Sequence, residues 1–321
     1  MKLKMMYGFL NSDIALIEKE LEQAIHADYS LISQTSLHYL QAGGKRIRPV
    51  FVLLSGKFGH YDIQIIKNVA VALELIHMSS LVHDDVIDDA DTRRGKPTVK
   101  AKWDNRIAMY TGDYIFARSL ELMANIQNVK AHEILSKTIV EVCLGEIEQI
   151  KDKYNLDQDL RTYLRRIKRK TALLIAVSCQ LGAIASGAPE AVHKRLFWFG
   201  YNVGMAFQIT DDILDFTASA AQLGKPAGSD LLQGNITLPV LYAIRNPSIY
   251  EKVNQMFQSD RPEQDIEEII GEIKSSGAIE QSSAMSQRYL RKALSLLEEL
   301  PSNKAKDTLY KIAKFVGNRK F

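Results

Sequence analysis

Two short acid-rich segments lie inside stretches of the chain that are otherwise apolar, HDDVIDD at 83–89 and DDILD at 211–215. If both segments are helical, residues three or four apart share one face of the helix. The carboxylates grouped in this way are Asp84, Asp85 and Asp88 in the first segment and Asp211, Asp212 and Asp215 in the second. Three carboxylates on one face repel one another strongly unless a cation or solvent relieves them.

These acid-rich segments fit a magnesium site better than a solvated acidic face. Exposed acidic faces usually have Lys or Glu neighbours, whereas SSLV precedes the first segment and MAFQIT precedes the second. Carboxylate oxygens suit Mg²⁺, which also takes water and the phosphates of a substrate as ligands. An EF-hand is excluded, because its spacing and its glycine are absent. His83 is either a further ligand or a histidine hydrogen-bonded beside the aspartates.

Apolar residues recur at three- and four-residue steps along most of the chain, without a long series of alternating strands. This periodicity predicts helices at 14–25, 64–82, 107–126, 131–150, 160–187, 194–217, 236–245, 264–275 and 281–299. The hydrophobic fraction of 46% and the charged fraction of 25% are ordinary for a globular protein. No low-complexity linker divides the chain, so we expect a single all-α domain over 1–321 with roughly ten or more helices.

Composition excludes several classes of protein. The net charge of +3, with basic and acidic residues interleaved, argues against nucleic-acid binding. Residues 171–188 carry no charge and approach the length of a membrane span, but their Thr, Ser, Gln and Gly favour a buried helix, so we expect no transmembrane span. Cys143 and Cys179 lack CxxC spacing, which predicts two buried structural cysteines and a reducing, cytoplasmic location.

Basic and glycine-rich segments accompany the acidic ones. They read GGKRIRP at 43–49, TRRGKP at 92–97, KRKT at 168–171 and GKPAGSDLLQGNITLP at 224–239. Glycines let the backbone approach a ligand, and Lys and Arg bind phosphate, although the segment at 43–49 alone fits a solvated loop equally well. Because GxSxG, HExxH and Walker motifs are absent from the sequence, the pattern predicts diphosphate chemistry by electrostatic stabilisation without a protein nucleophile.

The motifs together resemble those of the trans-prenyl diphosphate synthases. The resemblance rests on ELIHMSSLVHDDVIDDADTRRG, FQITDDILDF, GKPAGSDL, GGKRIRP and the KT at 170–171, and it covers nearly the whole chain. It implies the isoprenoid synthase fold, a single helical bundle around a deep central cavity. It also implies a Mg²⁺-dependent prenyltransferase with several ions per active site. The implied reaction is successive head-to-tail (1'-4) condensation of isopentenyl diphosphate onto an allylic diphosphate such as farnesyl diphosphate.

The same resemblance assigns roles to individual residues. Magnesium binding falls to Asp84, Asp88, Asp211 and Asp215, with Asp85 and Asp212 as further catalytic carboxylates. Isopentenyl diphosphate binding falls to Lys45, Arg48, His77 and Arg94. Allylic diphosphate binding falls to Arg93, Lys170, Thr171, Gln208 and Lys225. A buried core histidine remains the alternative for His77, and ordinary polar helix positions remain the alternative for Thr171 and Gln208.

Product length is predicted from the helix that precedes the first acidic segment. Short-chain members of the family tend to carry aromatic residues four and five positions before the first aspartate, where this chain has Ser80 and Ser79. One turn of about 5.4 Å deeper lie Ile76 and then Ala72, and each turn cleared accommodates about one prenyl unit. An open tunnel would give a product longer than farnesyl. Close packing of the serines against another helix is the alternative.

Within the family, the chain looks most similar to the larger component of bacterial two-component synthases. This implies all-trans-heptaprenyl diphosphate for the menaquinone side chain as product, a small component I subunit as obligate partner, and a homodimer as the family default. A self-sufficient homodimer making hexaprenyl, octaprenyl or geranylgeranyl diphosphate is one alternative. A catalytically silent regulatory subunit is another, disfavoured because both acidic segments and their basic partners are intact.

Overall fold

The computed structural model describes residues 5–219, 226–259, 261 and 264–317, and these are almost entirely helical. The α-helices are α1 (Asn11–Ala24), α2 (Ser30–Gln41), α3 (Ile47–Gly56), α4 (Ile63–Ile87), α5 (Val99–Lys102), α6 (Asn105–Ala124), α7 (Val129–Asp152), α8 (Leu160–Ile167), α9 (Leu173–Ala185), α10 (Glu190–Thr217), α11 (Ser229–Leu232), α12 (Leu238–Ala243), α13 (Pro247–Gln258), α14 (Ile266–Ser275), α15 (Ala278–Glu298) and α16 (Lys304–Gly317). A 3₁₀ turn (Gly8–Leu10), a π-helix (Lys168–Ala172) and an antiparallel hairpin of β1 (Thr92–Arg93) with β2 (Lys96–Pro97) complete the described elements.

The chain groups into two compact units. Unit 1 comprises Met1–Leu135, Val177–Phe197 and Leu300–Leu309, and unit 2 comprises Ser136–Ala176, Trp198–Glu299 and Tyr310–Phe321. The first acidic segment belongs to unit 1 and the second to unit 2. The expectation of a single domain over 1–321 stays a prediction.

Helix α4 forms the core of unit 1. Its start is capped by Asp62, whose side chain accepts a hydrogen bond from the backbone N–H of Gln64 at 2.9 Å. Most residues from Ile66 to Val82 are buried, and the helix packs along α6 and against α1 and α3. A helix that is apolar on all sides must be surrounded by protein, which explains the weak amphipathic pattern of this segment.

Helix α4 is also the one described helix that is long and apolar enough to cross a membrane, by length and composition. Two thirds of its apolar window is buried inside the protein, which is the pattern of a core helix. The uncharged stretch at 171–188 forms part of the π-helix and then α9, which has 13 residues and is mostly buried. That length is too short for a membrane span, so the expectation of a buried helix is confirmed.

Helices α3 and α9 cross within unit 1 at two glycines. A Cβ atom placed on Gly182 would lie 2.3 Å from the carbonyl oxygen of Val52, and one on Gly56 would lie 3.5 Å from the carbonyl oxygen of Gly182. The backbones therefore touch directly, as the small residues of this stretch predicted. Cys179, on the same helix, is buried as expected, and burial raises the pKa of its thiol to about 12.

Unit 2 has its own apolar core, formed by α8, the C-terminal half of α10 and helices α12 to α15. Tyr163, Ile209 and Phe216 are fully buried in it, and α14 contributes Ile269 and Ile273. A Cβ atom on Gly204 would lie 2.6 Å from the Cα atom of Ala172, so α10 also passes closely over the π-helix.

Three features differ from the sequence-based predictions. The periodic stretch 160–187 is not one helix, because the π-helix separates α8 from α9. Helices α2, α3, α13 and α16 were not predicted. Helix α2 is largely polar, and α3 and α13 each carry a proline in the first turn, where proline is tolerated. The expectation that Cys143 is buried was wrong, because it lies on a face of α7 that also exposes Val140 and Leu144.

Candidate active site

The first acidic segment lies at the C-terminal end of α4. Asp84 and Asp85 are buried in the last turn, and Asp88 ends the helix with its N–H bonded to the Asp84 carbonyl at 2.8 Å. Asp85 accepts a hydrogen bond from Arg93 Nε at 2.7 Å and pairs with its Nη2 at 2.6 Å. Burial raises the pKa of Asp85, although Arg93 acts against this. Asp85 thus anchors Arg93.

The hairpin at 92–97 fixes the two arginines that follow this segment. Arg94 and Gly95 form its turn with φ values of 54° and 76°, as in the turns that join two antiparallel strands tightly. Lys96 Nζ donates to the carbonyl of Gln41 at 2.7 Å and ties the hairpin to α2. The hairpin that carries Arg93 and Arg94 is therefore fixed by two contacts, one from Arg93 to Asp85 of α4 and one from Lys96 to Gln41 of α2.

The loop GGKRIRP brings further cations to the same region of unit 1. A Cβ atom on Gly44 would lie 2.8 Å from Arg46 Nη1 and 3.0 Å from Arg94 Nη1, so two guanidinium groups pass over the glycine backbone. Arg48 is buried, and burial lowers the pKa of its guanidinium to about 10 against the opposing effect of Glu74. Lys45, on the same loop, is exposed.

His77 lies on α4 among these cations. Burial lowers the pKa of its imidazole well below the usual value, and the charges of Arg48, Arg94, Arg93 and Arg46 lower it further. Its imidazole is therefore neutral at physiological pH. The structure thus gathers Arg48, His77 and Arg94, three of the four residues predicted to bind isopentenyl diphosphate.

The second acidic segment lies near the C-terminal end of α10, where a hydrogen-bond chain surrounds its middle aspartate. Buried Asp212 accepts from Tyr163 OH at 2.6 Å and from Gln208 Nε2 at 2.8 Å, and Thr171 Oγ1 donates to Gln208 Oε1 at 2.7 Å. Burial raises the pKa of Asp212 to about 7, although both hydrogen bonds act against this. Both Asp212 oxygens are thus engaged by protein, while Asp211 is exposed.

Asp215 contacts the segment that begins α11. It is almost fully buried, and its carboxylate accepts from Ser229 Oγ and from the backbone N–H of Asp230, both at 3.2 Å. The N–H of Gly228 donates to the Asp215 carbonyl at 2.8 Å. Lys225, predicted to bind the allylic diphosphate, lies outside the described residues.

The π-helix carries the predicted pair Lys170 and Thr171. π-helical turns are rare in proteins, but those that occur are often found at functional sites. The inserted residue changes which side chains of the helix face a ligand. Lys170 Nζ forms an ion pair with Glu146 of α7 at 2.8 Å. An anionic ligand would therefore compete with Glu146 for this cation.

His83 is a packing residue in this structure. A Cβ atom on Gly112 would lie 2.3 Å from His83 Nε2, so the ring lies directly on the glycine of α6. The same nitrogen is 3.3 Å from the Met109 carbonyl and 3.3 Å from Asp113 Oδ1. Of the two alternatives for His83, this arrangement matches the histidine that is hydrogen-bonded beside the aspartates and not the further metal ligand.

The predicted chain-length residues all lie on α4. Ala72 is fully buried, Ser79 is 3% exposed and Ile76 is 5% exposed. Ser80 is half-buried, and its hydroxyl donates to the His77 carbonyl at 2.9 Å. The serine hydroxyl is thus satisfied within its own helix.

The donor set fits magnesium bound together with a phosphate ligand. Within the described residues, no group of three or more His, Cys, Asp or Glu side chains is arranged to hold a metal ion alone. Mg²⁺ usually takes one or two protein carboxylates and completes its shell with water and substrate phosphate. One oxygen of Asp85 is also buried without a hydrogen bond from any described residue, which shows surplus acceptor capacity beside Asp84.

Sequence reasoning missed two buried residues that hydrogen-bond to the predicted site segments. Tyr163 and Glu74 are buried, and they contact Asp212 and Arg46 respectively. Arg46 looked like another phosphate-binding cation, but it is committed to acidic side chains. The one available signal was Glu74, a charged residue inside the apolar run of α4.

The observations define a helical protein in which each unit carries an acidic segment and cationic side chains, a set of groups suited to metal-assisted diphosphate chemistry. The family model "Polyprenyl synthetase" matches residues 29–273. The chain belongs to the polyprenyl synthetase family and is a prenyltransferase. Members of this family generally use Mg²⁺.

Two relatives match over the full chain. Heptaprenyl diphosphate synthase component 2 of Bacillus subtilis (strain 168) is 67% identical over 321 residues, which is 100% of this chain and 92% of the relative. The protein of the same name from Geobacillus stearothermophilus is 64% identical over 324 residues, covering 100% of both chains.

Solved structures also match over nearly the whole chain. Heptaprenyl diphosphate synthase from Staphylococcus aureus superposes with a TM-score of 0.92 at 46% identity, over 97% of this chain and 98% of the other. A polyprenyl synthase from Caulobacter crescentus CB15, complexed with calcium and isoprenyl diphosphate, gives a TM-score of 0.93 at 31% identity, over 99% and 98%. The expected all-α isoprenoid synthase fold is confirmed.

Proposed function

We propose that the chain is the catalytic subunit of a heptaprenyl diphosphate synthase. It condenses isopentenyl diphosphate successively, head to tail (1'-4), onto farnesyl diphosphate and makes all-trans-heptaprenyl diphosphate for the menaquinone side chain. The observation that carries the proposal is the full-length likeness to two proteins named component 2 of this synthase. Intact acidic segments and basic partners argue against a silent regulatory subunit.

The proposal assigns binding roles to individual side chains. Arg48, His77 and Arg94 bind isopentenyl diphosphate together with Lys45. Arg93, Lys170, Thr171 and Gln208 bind the allylic diphosphate, with Lys225 as a further ligand. Asp84, Asp88, Asp211 and Asp215 would hold Mg²⁺, which when bound neutralises the developing charge on the departing diphosphate.

The protein groups promote ionisation and exclude water. Arginine and lysine donors stabilise the diphosphate as its C–O bond breaks, and this stabilisation is largest in a desolvated site. The alkene of isopentenyl diphosphate then attacks the allylic cation, and the released diphosphate takes the proton. Neutral His77 donates a hydrogen bond without adding a charge that would repel the cation. Exclusion of water prevents hydrolysis of the cation.

The proposal is tested by condensation in vitro. The purified chain is incubated with Mg²⁺, farnesyl diphosphate and labelled isopentenyl diphosphate, with and without the component 1 subunit of a relative, and products are sized by mass spectrometry. We expect a seven-unit product only with the partner present. A long product from the chain alone would keep the chemistry and remove the obligate partner. No condensation in either condition would overturn the proposal.

Product length is proposed to depend on the face of α4 that carries Ser79, Ser80, Ile76 and Ala72. We expect Ser79→Phe to shorten the main product, because an aromatic ring would fill the space that a growing chain occupies. Ile65→Phe adds a ring at an exposed position of the same helix and should leave the product unchanged. A folded Ser79→Phe variant with an unchanged product would show that the tunnel does not pass this residue.

Partner and location follow from the same proposal. The proposed location is the cytoplasm, since both cysteines lack CxxC spacing and are free thiols, with membrane association only through the lipid product. A homodimer is the proposed assembly of this subunit, alongside its component I partner.

A further inference from the structure

Arg46 lies between Lys45 and Arg48, yet four of the five N–H groups of its guanidinium donate to protein acceptors. Nε donates to Glu18 Oε1 at 2.8 Å, Nη2 donates to Glu18 Oε2 at 3.3 Å and to the Leu40 carbonyl at 3.4 Å, and Nη1 donates to Glu74 Oε1 at 3.2 Å. Its side chain is 8% exposed. A guanidinium held by two carboxylates has little capacity left for a phosphate.

The backbone of Arg46 also carries strain that these contacts offset. Its φ of 48° is left-handed, which is uncommon for a residue other than glycine, and it immediately precedes α3. Such a conformation persists only where the surroundings over-determine it. The two hydrogen bonds to Glu18 and the one to Glu74 supply that constraint. The left-handed turn at Arg46 in turn sets where Lys45 and Arg48 lie.

Glu74 interacts with Arg48 as well as with Arg46. It is 4% exposed, and its second oxygen has no hydrogen bond from any described residue. Arg48 is also buried, at 8% exposed, and its Nε has no hydrogen bond to any described residue. The negative charge of Glu74 acts on Arg48 and favours its charged form. The Glu74 carboxylate thus interacts with both Arg46 and Arg48. Its negative charge offsets the repulsion between these two cations when no ligand is bound.

We propose that Glu18 and Glu74, acting through Arg46, are positioning residues that preorganise Lys45 and Arg48 for the diphosphate of isopentenyl diphosphate. The inference rests on the proposed function, because it takes that ligand for this loop. Its physical basis is that binding is stronger when the cations need no rearrangement and no like-charge repulsion has to be overcome on binding.

The first test is direct binding of isopentenyl diphosphate with Mg²⁺, measured by isothermal titration calorimetry without allylic substrate. We expect Glu18→Gln and Glu74→Gln to weaken binding about tenfold, as loss of a charge-assisted contact does. Glu20→Gln is the matched control, since Glu20 lies on α1 and pairs with Lys67 at 2.6 Å, and it should bind like the wild type. Glu18 is partly exposed, so its variant decides the matter if Glu74→Gln fails to fold.

Kinetics separate positioning from general damage. In the condition that supports wild-type turnover, KM for isopentenyl diphosphate should rise while kcat and KM for the allylic substrate stay within about twofold. Adding Glu74→Gln to Arg48→Gln should cost little further affinity, because both act on one interaction. Unchanged affinity in folded variants, or equal changes in all kinetic parameters, would overturn the positioning role. A wild type that binds no isopentenyl diphosphate, either alone or together with the component 1 subunit of a relative, would instead refute the proposed function.

Discussion

Asp84→Asn is expected to lower kcat by about 10²–10³-fold while the protein stays folded. Asparagine keeps the shape of the side chain and removes the negative charge that a divalent cation requires. Asp84 is buried in the last turn of α4, where its charge needs a cation to compensate it. Turnover is measured with farnesyl and isopentenyl diphosphates, and folding is measured by circular dichroism. The same result is expected for Asp211→Asn in unit 2.

The matched control is Asp89→Asn in the same acidic segment. Asp89 is exposed and pairs with Lys100, and its left-handed φ of 52° is one that asparagine tolerates. Its activity should be close to that of the wild type. Full activity per folded molecule in Asp84→Asn would contradict the magnesium assignment, and equal losses in both variants would point to a general effect of charge.

Gly182→Ala is expected to lower the free energy of unfolding by about 1–3 kcal/mol. The new methyl group would lie 2.3 Å from the Val52 carbonyl oxygen, and backbone on both sides leaves no flexible side chain to move away. The helices α3 and α9 must therefore separate. Urea unfolding followed by circular dichroism measures the change.

Gly271→Ala provides a control of opposite sign. Gly271 lies inside α14, it is exposed, and a Cβ atom there would meet nothing within 4 Å. Alanine favours a helix over glycine by about 0.8–1 kcal/mol, so this variant should be more stable than the wild type. Equal stability of Gly182→Ala and the wild type would show that the crossing of α3 and α9 is looser than the structure has it.

The helical architecture and the acidic helix ends could be predicted from periodicity and spacing. Both are local properties, because a helix places residues three and four apart on one face whatever surrounds it. The same logic failed at 168–172, where an apolar period continues through a π-helix. Periodicity does not report one inserted residue when helical segments continue on both sides of it.

The support behind the site could not be predicted. Tyr163 and Asp212 are 49 positions apart and form a 2.6 Å hydrogen bond, and Arg46 and Glu74 are 28 apart and form an ion pair. No local pattern marks such partners, because they are brought together only by packing. Asp85 and Arg93 are closer in the chain, but their pairing depends on the hairpin that follows α4.

The sequence by itself determined the class of structure, the carboxylates and the cations, since each follows from residue types and short spacings. Tertiary structure decided which charges are available to a ligand. In GGKRIRP, three cations look alike in sequence, yet Arg46 is held by Glu18 and Glu74 while Arg48 is buried beside His77. The physical reason is that a buried charge must be compensated by a partner, and that partner comes from a distant helix.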